Sequence, residues 1–205
     1  MGELVEAKRV LRGALRGRRG AMGDVARGAA SLSIAESVLE RVGATAEAVG
    51  GAVFCYVGVR DEVKTRPLLE RWLAAGVEVW VPRVEGDGAM SAVRLGAMCE
   101  LGVGEGEGAA RLPTNVCGAA MGGVPAWVVL PCVGVTRDGR RLGQGGGYYD
   151  RYLAGLAGRS EGGAGVRTVA LAFECQVVDE LPTEGHDARV GAVCTEAGWV
   201  DCAAK

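Results

Sequence analysis

One histidine, His186, serves the whole 205-residue chain. That scarcity excludes histidine-rich metal sites and the H-E-x-x-H arrangement, and it leaves little support for a cysteine nucleophile, which needs an imidazole beside it. The seven cysteines (Cys55, Cys99, Cys117, Cys132, Cys175, Cys194 and Cys202) are odd in number, and no two are spaced C-x-x-C. A disulfide scaffold and a zinc ribbon are therefore not expected; most of these thiols sit in apolar runs and read as buried and reduced. Aromatic residues make up only 5%, the formal charge is −2 and the pI about 5.6. No global electrostatic attraction to nucleic acid follows, so any anion site has to be local. No stretch is long enough to span a bilayer: the longest apolar run, 124–135, is interrupted by Pro125 and Pro131. The first twenty residues are highly charged with no apolar core, and Glu6 stands where a myristoylation pattern wants Ser or Thr. A cytoplasmic protein without membrane contact is expected.

Glycine is abundant instead, at 35 residues with no three-residue period, which excludes collagen and points to turns and close backbone approaches. A 49% hydrophobic content supports a sizeable core, and the length fits one domain over 1–205. Residues 3–27 read as a basic amphipathic helix. Lys8, Arg12, Arg16 and Arg19 recur every three or four positions on one face, and Leu4, Leu11 and Leu15 form an apolar stripe. A second helix is expected over 31–42, with Ser33 and Glu36 as a capping box. The continuous apolar run 51–57 predicts a strand buried on both faces. A helix over 65–75, N-capped by Thr65 and ended by Gly76, and a strand over 77–81 complete a βαβ unit and hence a parallel sheet. Residues 86–96 suit a hairpin, 126–130 a buried strand, 148–156 a helix, 166–173 a strand and 190–195 a last short strand. The expected class is α/β, a mostly parallel sheet with helices on both faces.

The segment Arg140-Arg-Leu-Gly-Gln-Gly-Gly-Gly-Tyr-Tyr-Asp-Arg151 stands apart. A buried strand leads into a loop carrying Gly143, Gly145, Gly146 and Gly147, and a helix begins at once. Glycines let backbone N–H groups converge, and the helix start adds partial positive charge, so this order builds an anion site. Arg140 and Arg141 add charge-assisted bonds to phosphate oxygens. The spacing is neither Walker A nor G-x-G-x-x-G. Asp150 in the first helical turn is favourable there simply as an N-terminal acid. Beside a polyphosphate it wants a cation between, for which magnesium shared with a second carboxylate is the usual arrangement. Asp187 and Glu184 are candidates for that second acid. A solvated face remains the alternative for Lys8 and Arg12, and a mere tight turn the alternative for the glycine loop.

Arg141-Leu-Gly-Gln-Gly-Gly-Gly-Tyr-Tyr-Asp-Arg151, preceded by Leu130-Pro and Asp138-Gly, resembles the 5-formyltetrahydrofolate cyclo-ligase (methenyltetrahydrofolate synthetase) family. Ordered satellites strengthen the likeness: Lys8-Arg-Val-Leu-Arg12, Asp61-Glu-Val-Lys-Thr65, Val81-Pro-Arg-Val84 and a tail from Ala172-Phe to Thr195-Glu196. The resemblance implies a three-layer α/β/α fold similar to ribose-5-phosphate isomerase and CoA-transferase-like domains. It also implies the reaction ATP + 5-formyltetrahydrofolate → 5,10-methenyltetrahydrofolate + ADP + phosphate, with Mg²⁺. Carried over by motif, the ATP site comprises Lys8, Arg12, Arg141, Gly143, Gln144, Gly145, Gly146, Gly147, Tyr148 and Tyr149. Val57, Glu62, Gln144, Gly147 and Tyr148 contact the folate, and Asp150 and Asp187 hold the metal. Lys8, Arg141 and Tyr148 are the expected catalytic positions. The resemblance carries no nucleic-acid or membrane partner, and a monomer is expected. Gln144 and Gly146 stand where some members carry basic side chains, and Arg60 and the 102–110 loop look idiosyncratic. A same-fold ligase acting on another formamide, or a nucleotide- or RNA-binding module without catalysis, would share much of this pattern.

Overall fold

The computed structural model describes residues 2–84, 90–101, 121–158, 165–184 and 187–202. Its elements in chain order are α1 (Gly2–Ala21), α2 (Asp24–Val42), α3 (Ala46–Val49), β1 (Val53–Cys55), α4 (Arg66–Ala74), β2 (Val79–Val84), β3 (Met90–Arg94), β4 (Trp127–Pro131), β5 (Gly134–Val135), β6 (Arg141–Leu142), α5 (Tyr148–Ala157), β7 (Arg167–Leu171), β8 (Ala192–Thr195) and β9 (Gly198–Asp201). Seven strands form one sheet in the order β3-β2-β1-β4-β7-β8-β9. The five inner strands are parallel, and the edges β3 and β9 pair antiparallel. The expected βαβ unit is β1-α4-β2, in register at Val53 and Val79. The pairing of β5 with β6 makes a separate two-stranded hairpin.

Alternation along the buried strands sorts the layers. Val53 and Cys55 of β1, Val129 of β4 and Val169 of β7 point to one face, where Ile34, Val38, Leu69 and Trp72 of α2 and α4 cover them. Phe54, Val128, Leu130 and Ala170 point to the other, against Leu156 and Tyr152 of α5. A third small cluster holds α1: Leu15, fully buried, packs with Val133, Leu142 and Leu181. Gly134 is required beneath it, because a Cβ there would lie 2.4 Å from a Leu15 methyl. The layered α/β architecture with a mostly parallel sheet is the one expected.

Several local expectations are corrected. The basic helix does not run through 3–27. It stops at Ala21, and Gly23, with extended backbone at φ −64°, ψ 156°, starts α2 seven residues earlier than the expected start at Ser31. The acid Asp24 favours that earlier start. Ser33 and Glu36 consequently lie inside α2 and form no capping box. Ser31 is buried and serves as a tie: its hydroxyl donates to Arg27 O at 2.7 Å and accepts from Lys64 N–H at 3.0 Å. Thr65 does precede α4, but its hydroxyl makes no cap bond; it donates to Tyr56 O and accepts from Gly58 N–H, closing the turn after β1. The hairpin expected within 86–96 is not formed there: only β3 falls in that stretch, and it pairs antiparallel with β2, which runs on to Val84 past the expected strand end at 81; residues 85–89 lie outside the described residues. His186, Cys117 and the 102–110 loop also lie outside them. The short α3, β5, β6 and β9 were not anticipated.

Candidate active site

From β1 the chain moves through α4 to β2 on one side, whereas from β4 it moves through α5 to β7 on the other. Connections that depart in opposite directions leave a crevice at the carboxyl ends of the two adjacent strands, the place where open parallel sheets bind ligands. Tyr56 and Val57 follow β1 there, and Pro131 ends β4 with Cys132 after it; all four line a cleft of about 1030 Å³. The site positions that the resemblance implies lie on this cleft: Lys8 and Arg12 from α1, Val57 and Glu62 from the turn after β1, Arg141, the glycine loop with Gln144, Tyr148, Tyr149 and Asp150 from the β6–α5 segment, and Asp187 from before β8. Arg140, expected beside Arg141 as a phosphate ligand, does not line it; its Nε lies 3.4 Å from Asp138 Oδ2.

The loop is built for close backbone approach. Gly145 (φ +105°) and Gly147 (φ +65°) take left-handed conformations that disfavour side chains. A Cβ on Gly146 would lie 2.6 Å from the Tyr148 ring. Gly147 caps α5 without a side-chain hydrogen bond, so no side chain competes for the first amides of the helix. Arg151 stacks its guanidinium 5.3 Å from the Tyr148 ring centroid.

Helix α1 lies against this loop instead of presenting a solvated basic face. Arg12 Nε donates to Gly143 O at 2.9 Å, and Arg16 Nη2 donates to Gln144 Oε1 at 2.6 Å. Gln144 Nε2 in turn donates to Glu62 Oε1 at 3.2 Å, and Val59 N–H donates to Glu62 Oε2 at 3.3 Å. Burial raises the Glu62 carboxyl above its ordinary range, and these two donors offset only part of that rise. Next to it, Asp61 is gripped by Arg19 in a two-point ion pair at 2.9 and 3.0 Å. The Arg19–Asp61 pair and the Arg16–Gln144–Glu62 chain were not found from the sequence. The only signal for them was that Arg16 and Arg19 share a helical face with Lys8.

The acids are engaged by cations. Asp150 Oδ1 accepts from Arg141 Nη2 at 2.6 Å, and Arg141 Nη1 reaches Pro131 O at 3.3 Å. Lys8 Nζ lies 2.7 Å from both Glu184 Oε2 and Asp187 Oδ2. Burial alone would lower the Lys8 ammonium, but the two carboxylates outweigh it and hold it above its ordinary value. Among the described residues no three His, Cys, Asp or Glu side chains form a ready-made metal cage. Asp150 and Asp187 nevertheless offer hard oxygen donors on one cleft, and magnesium beside phosphates needs only one or two such carboxylates. The donor set therefore fits that ion. Cys132 lines the cleft, but burial pushes its thiol up to about 12, so it is no nucleophile at neutral pH. No helix among the described residues is long and apolar enough to cross a membrane.

The model of the 5-formyltetrahydrofolate cyclo-ligase family matches residues 4–196. The 5-formyltetrahydrofolate cyclo-ligase of Mus musculus is 30% identical over 151 residues, covering 69% of this chain and 71% of its own. That of Mycolicibacterium smegmatis is 30% identical over 155 residues, covering 71% and 74%. The NMR structure of Aquifex aeolicus 5,10-methenyltetrahydrofolate synthetase superposes with a TM-score of 0.72 at 26% identity, covering 97% of this chain and 94% of that one. The Mycoplasma pneumoniae 5,10-methenyltetrahydrofolate synthetase, at 17% identity and a TM-score of 0.68, shares the fold.

Proposed function

Since the chain belongs to the 5-formyltetrahydrofolate cyclo-ligase family, we propose that the crevice between β1 and β4 is its active site, with ATP on the glycine-loop side, the pterin on the side of the turn after β1, and Gln144, Gly147 and Tyr148 touching both. The chain converts 5-formyltetrahydrofolate to 5,10-methenyltetrahydrofolate, and the reaction consumes ATP. The observation that carries the site assignment is the gathering of the glycine loop, Lys8, Arg12, Glu62, Asp150 and Asp187 on one cleft at the sheet's switch point.

The difficulty in the chemistry is the formamide oxygen, a poor leaving group. Transfer of the γ-phosphoryl group to that oxygen releases ADP and leaves an N5 iminium phosphate. N10 attacks the formyl carbon, N10 loses its proton, and the C–O bond breaks to release phosphate with its electron pair. No protein nucleophile is needed; the work is positioning and charge stabilisation. The amides of the glycine loop and of the first turn of α5 receive phosphate oxygens. Lys8 and Arg141 stabilise charge on the transferred group, and Arg12 fixes the loop through the Gly143 carbonyl. Tyr148, held between Gly146 and Arg151, walls the space where the two substrates meet. Glu62 accepts hydrogen bonds from the pterin edge, and Val57 packs beside it. Asp150 and Asp187 would hold Mg²⁺, which lowers the charge of the triphosphate. The protein is proposed to act as a single-domain cytoplasmic monomer.

The test is direct. Protein, Mg-ATP and 5-formyltetrahydrofolate should yield the methenyl product, followed by its near-ultraviolet absorbance. Folded protein that gives no product would overturn the assignment.

A further inference from the structure

Each acid expected to carry the metal is already paired with a cation of the protein, and each of those cations is one expected to bind phosphate. Lys8 Nζ lies 2.7 Å from Asp187 and from Glu184, and Arg141 Nη2 lies 2.6 Å from Asp150. These are enclosed contacts: the side chains of Lys8 and Arg141 are 9% and 2% exposed. The jaw around Lys8 is fixed by backbone. Glu184 N–H donates to Asp187 Oδ2 at 2.8 Å, and Asp187 N–H donates to Glu184 O at 3.0 Å. The ammonium, on a flexible four-carbon stem, is the partner that can turn away without a backbone change.

A magnesium ion sits about 2.0–2.1 Å from its carboxylate oxygens. On either oxygen of Asp187 it would stand close to the ammonium held at Oδ2, and the two cations would repel across a partly dry cleft. Metal alone therefore meets that repulsion unless Lys8 turns away, with nothing to receive it. Nucleotide alone brings its phosphates toward Asp150 and Asp187. Together the two ligands remove both conflicts.

We infer that Lys8 and Arg141 are resident counter-ions that exchange partners: phosphate oxygens take the ammonium and guanidinium, and the acids so released take the metal, so that metal and nucleotide bind as a pair and each binds poorly alone. Lys8 is thereby a gatekeeper of the cation seat as well as a phosphate ligand. The inference rests on the reading that this cleft binds Mg-ATP, and its test separates the two.

Mn²⁺ serves as the probe, its uptake followed by loss of the free-ion electron paramagnetic resonance signal, with and without a non-hydrolysable ATP analogue. The wild-type chain should bind Mn²⁺ at least tenfold more tightly with the analogue than without. Lys8→Met should bind Mn²⁺ alone at least tenfold more tightly than wild type, and Lys8→Arg, which keeps the charge, should stay weak. Lys8→Met binding Mn²⁺ alone no better than wild type would overturn the exchange, provided wild type still binds the Mn–analogue pair. Absence of that paired binding would overturn the reading beneath it. Should Lys8→Met not fold, wild-type protein labelled with 15N-lysine gives the same decision. The Lys8 ammonium resonance, assigned by its loss in Lys8→Arg, should move only when Mg²⁺ and analogue are both present; an equal shift with Mg²⁺ alone would refute the exchange.

Discussion

Replacing Asp61 by Asn should destabilise the protein and loosen its folate side together. Arg19 is only 4% exposed, and its two bonds to Asp61 are its ion pair; its Nη1 has no hydrogen-bond partner among the described residues. Neutralising Asp61 leaves a buried guanidinium with no ion-pair partner, Glu62 acting on it only through space. Breaking a fully buried pair costs about 3–5 kcal/mol. Asp61 is 29% exposed, so water screens part of that, and a loss of about 2–3 kcal/mol is expected. Urea unfolding at neutral pH of Asp61→Asn, Arg19→Met and the double variant should return a coupling of about 2 kcal/mol. The pH dependence gives an independent check. Burial alone would raise the Asp61 carboxyl, but Arg19 outweighs it and holds the group below its ordinary value. The stabilisation is therefore complete above the ordinary aspartate value, near ~3.9, and is lost as pH falls through the folded value. Wild type should lose this increment in acid, and Asp61→Asn should not. Because Glu62 is the next residue, the KM for folate should rise in Asp61→Asn while the KM for ATP stays level. A stability change within about 0.5 kcal/mol, the range of ordinary surface substitutions, and a coupling near zero would refute the reasoning.

Glu62 offers a second pH handle. Its carboxyl is raised by burial, so the ionised form, proposed to accept from the pterin, is lost at a higher pH than for an exposed glutamate. The folate KM should climb as pH falls through that raised value, and Glu62→Gln should abolish the climb; a wild-type KM that stays flat into the ordinary glutamate range would disprove this. Asp150→Asn should lower turnover by about 10²-fold or more while far-ultraviolet circular dichroism stays native, and unchanged turnover would discard its metal role. Gly146→Ala sets a Cβ 2.6 Å from the Tyr148 ring. At about 1–3 kcal/mol for overpacking, kcat/KM for ATP should fall roughly 5- to 150-fold; an unaltered value would mean that the ring yields freely.

What could be read from the sequence follows from how far each interaction reaches along the chain. β1 and β4 are buried on both faces and announce themselves as short apolar runs. The β1-α4-β2 unit carries its own punctuation in Thr65 before the helix and Gly76 after it. The two-residue strands β5 and β6 are too short for any period to register. The break between α1 and α2 hid in a glycine-rich basic stretch, and Ser33 and Glu36 mimicked a helix start inside a continuous helix. The glycine loop and its neighbours were legible because they are contiguous. That Lys8 already holds Glu184 and Asp187 was not, since those bonds join positions 176 and 179 residues apart and leave no local pattern. Likewise the hold of Arg19 on Asp61 spans 42 residues between a helix and a turn.

A crevice opened by strands whose connections leave in opposite directions draws its two walls from different stretches of chain. One wall comes from the β6–α5 segment, proposed to face the phosphates, and the other from the short turn closed by Thr65 after β1, proposed to face the pterin. Evolution can therefore redraft the acceptor by rewriting that turn while the phosphoryl donor's cradle stays as it is. A swap of residues 58–64 between relatives should transplant acceptor preference and carry no change in nucleotide preference with it.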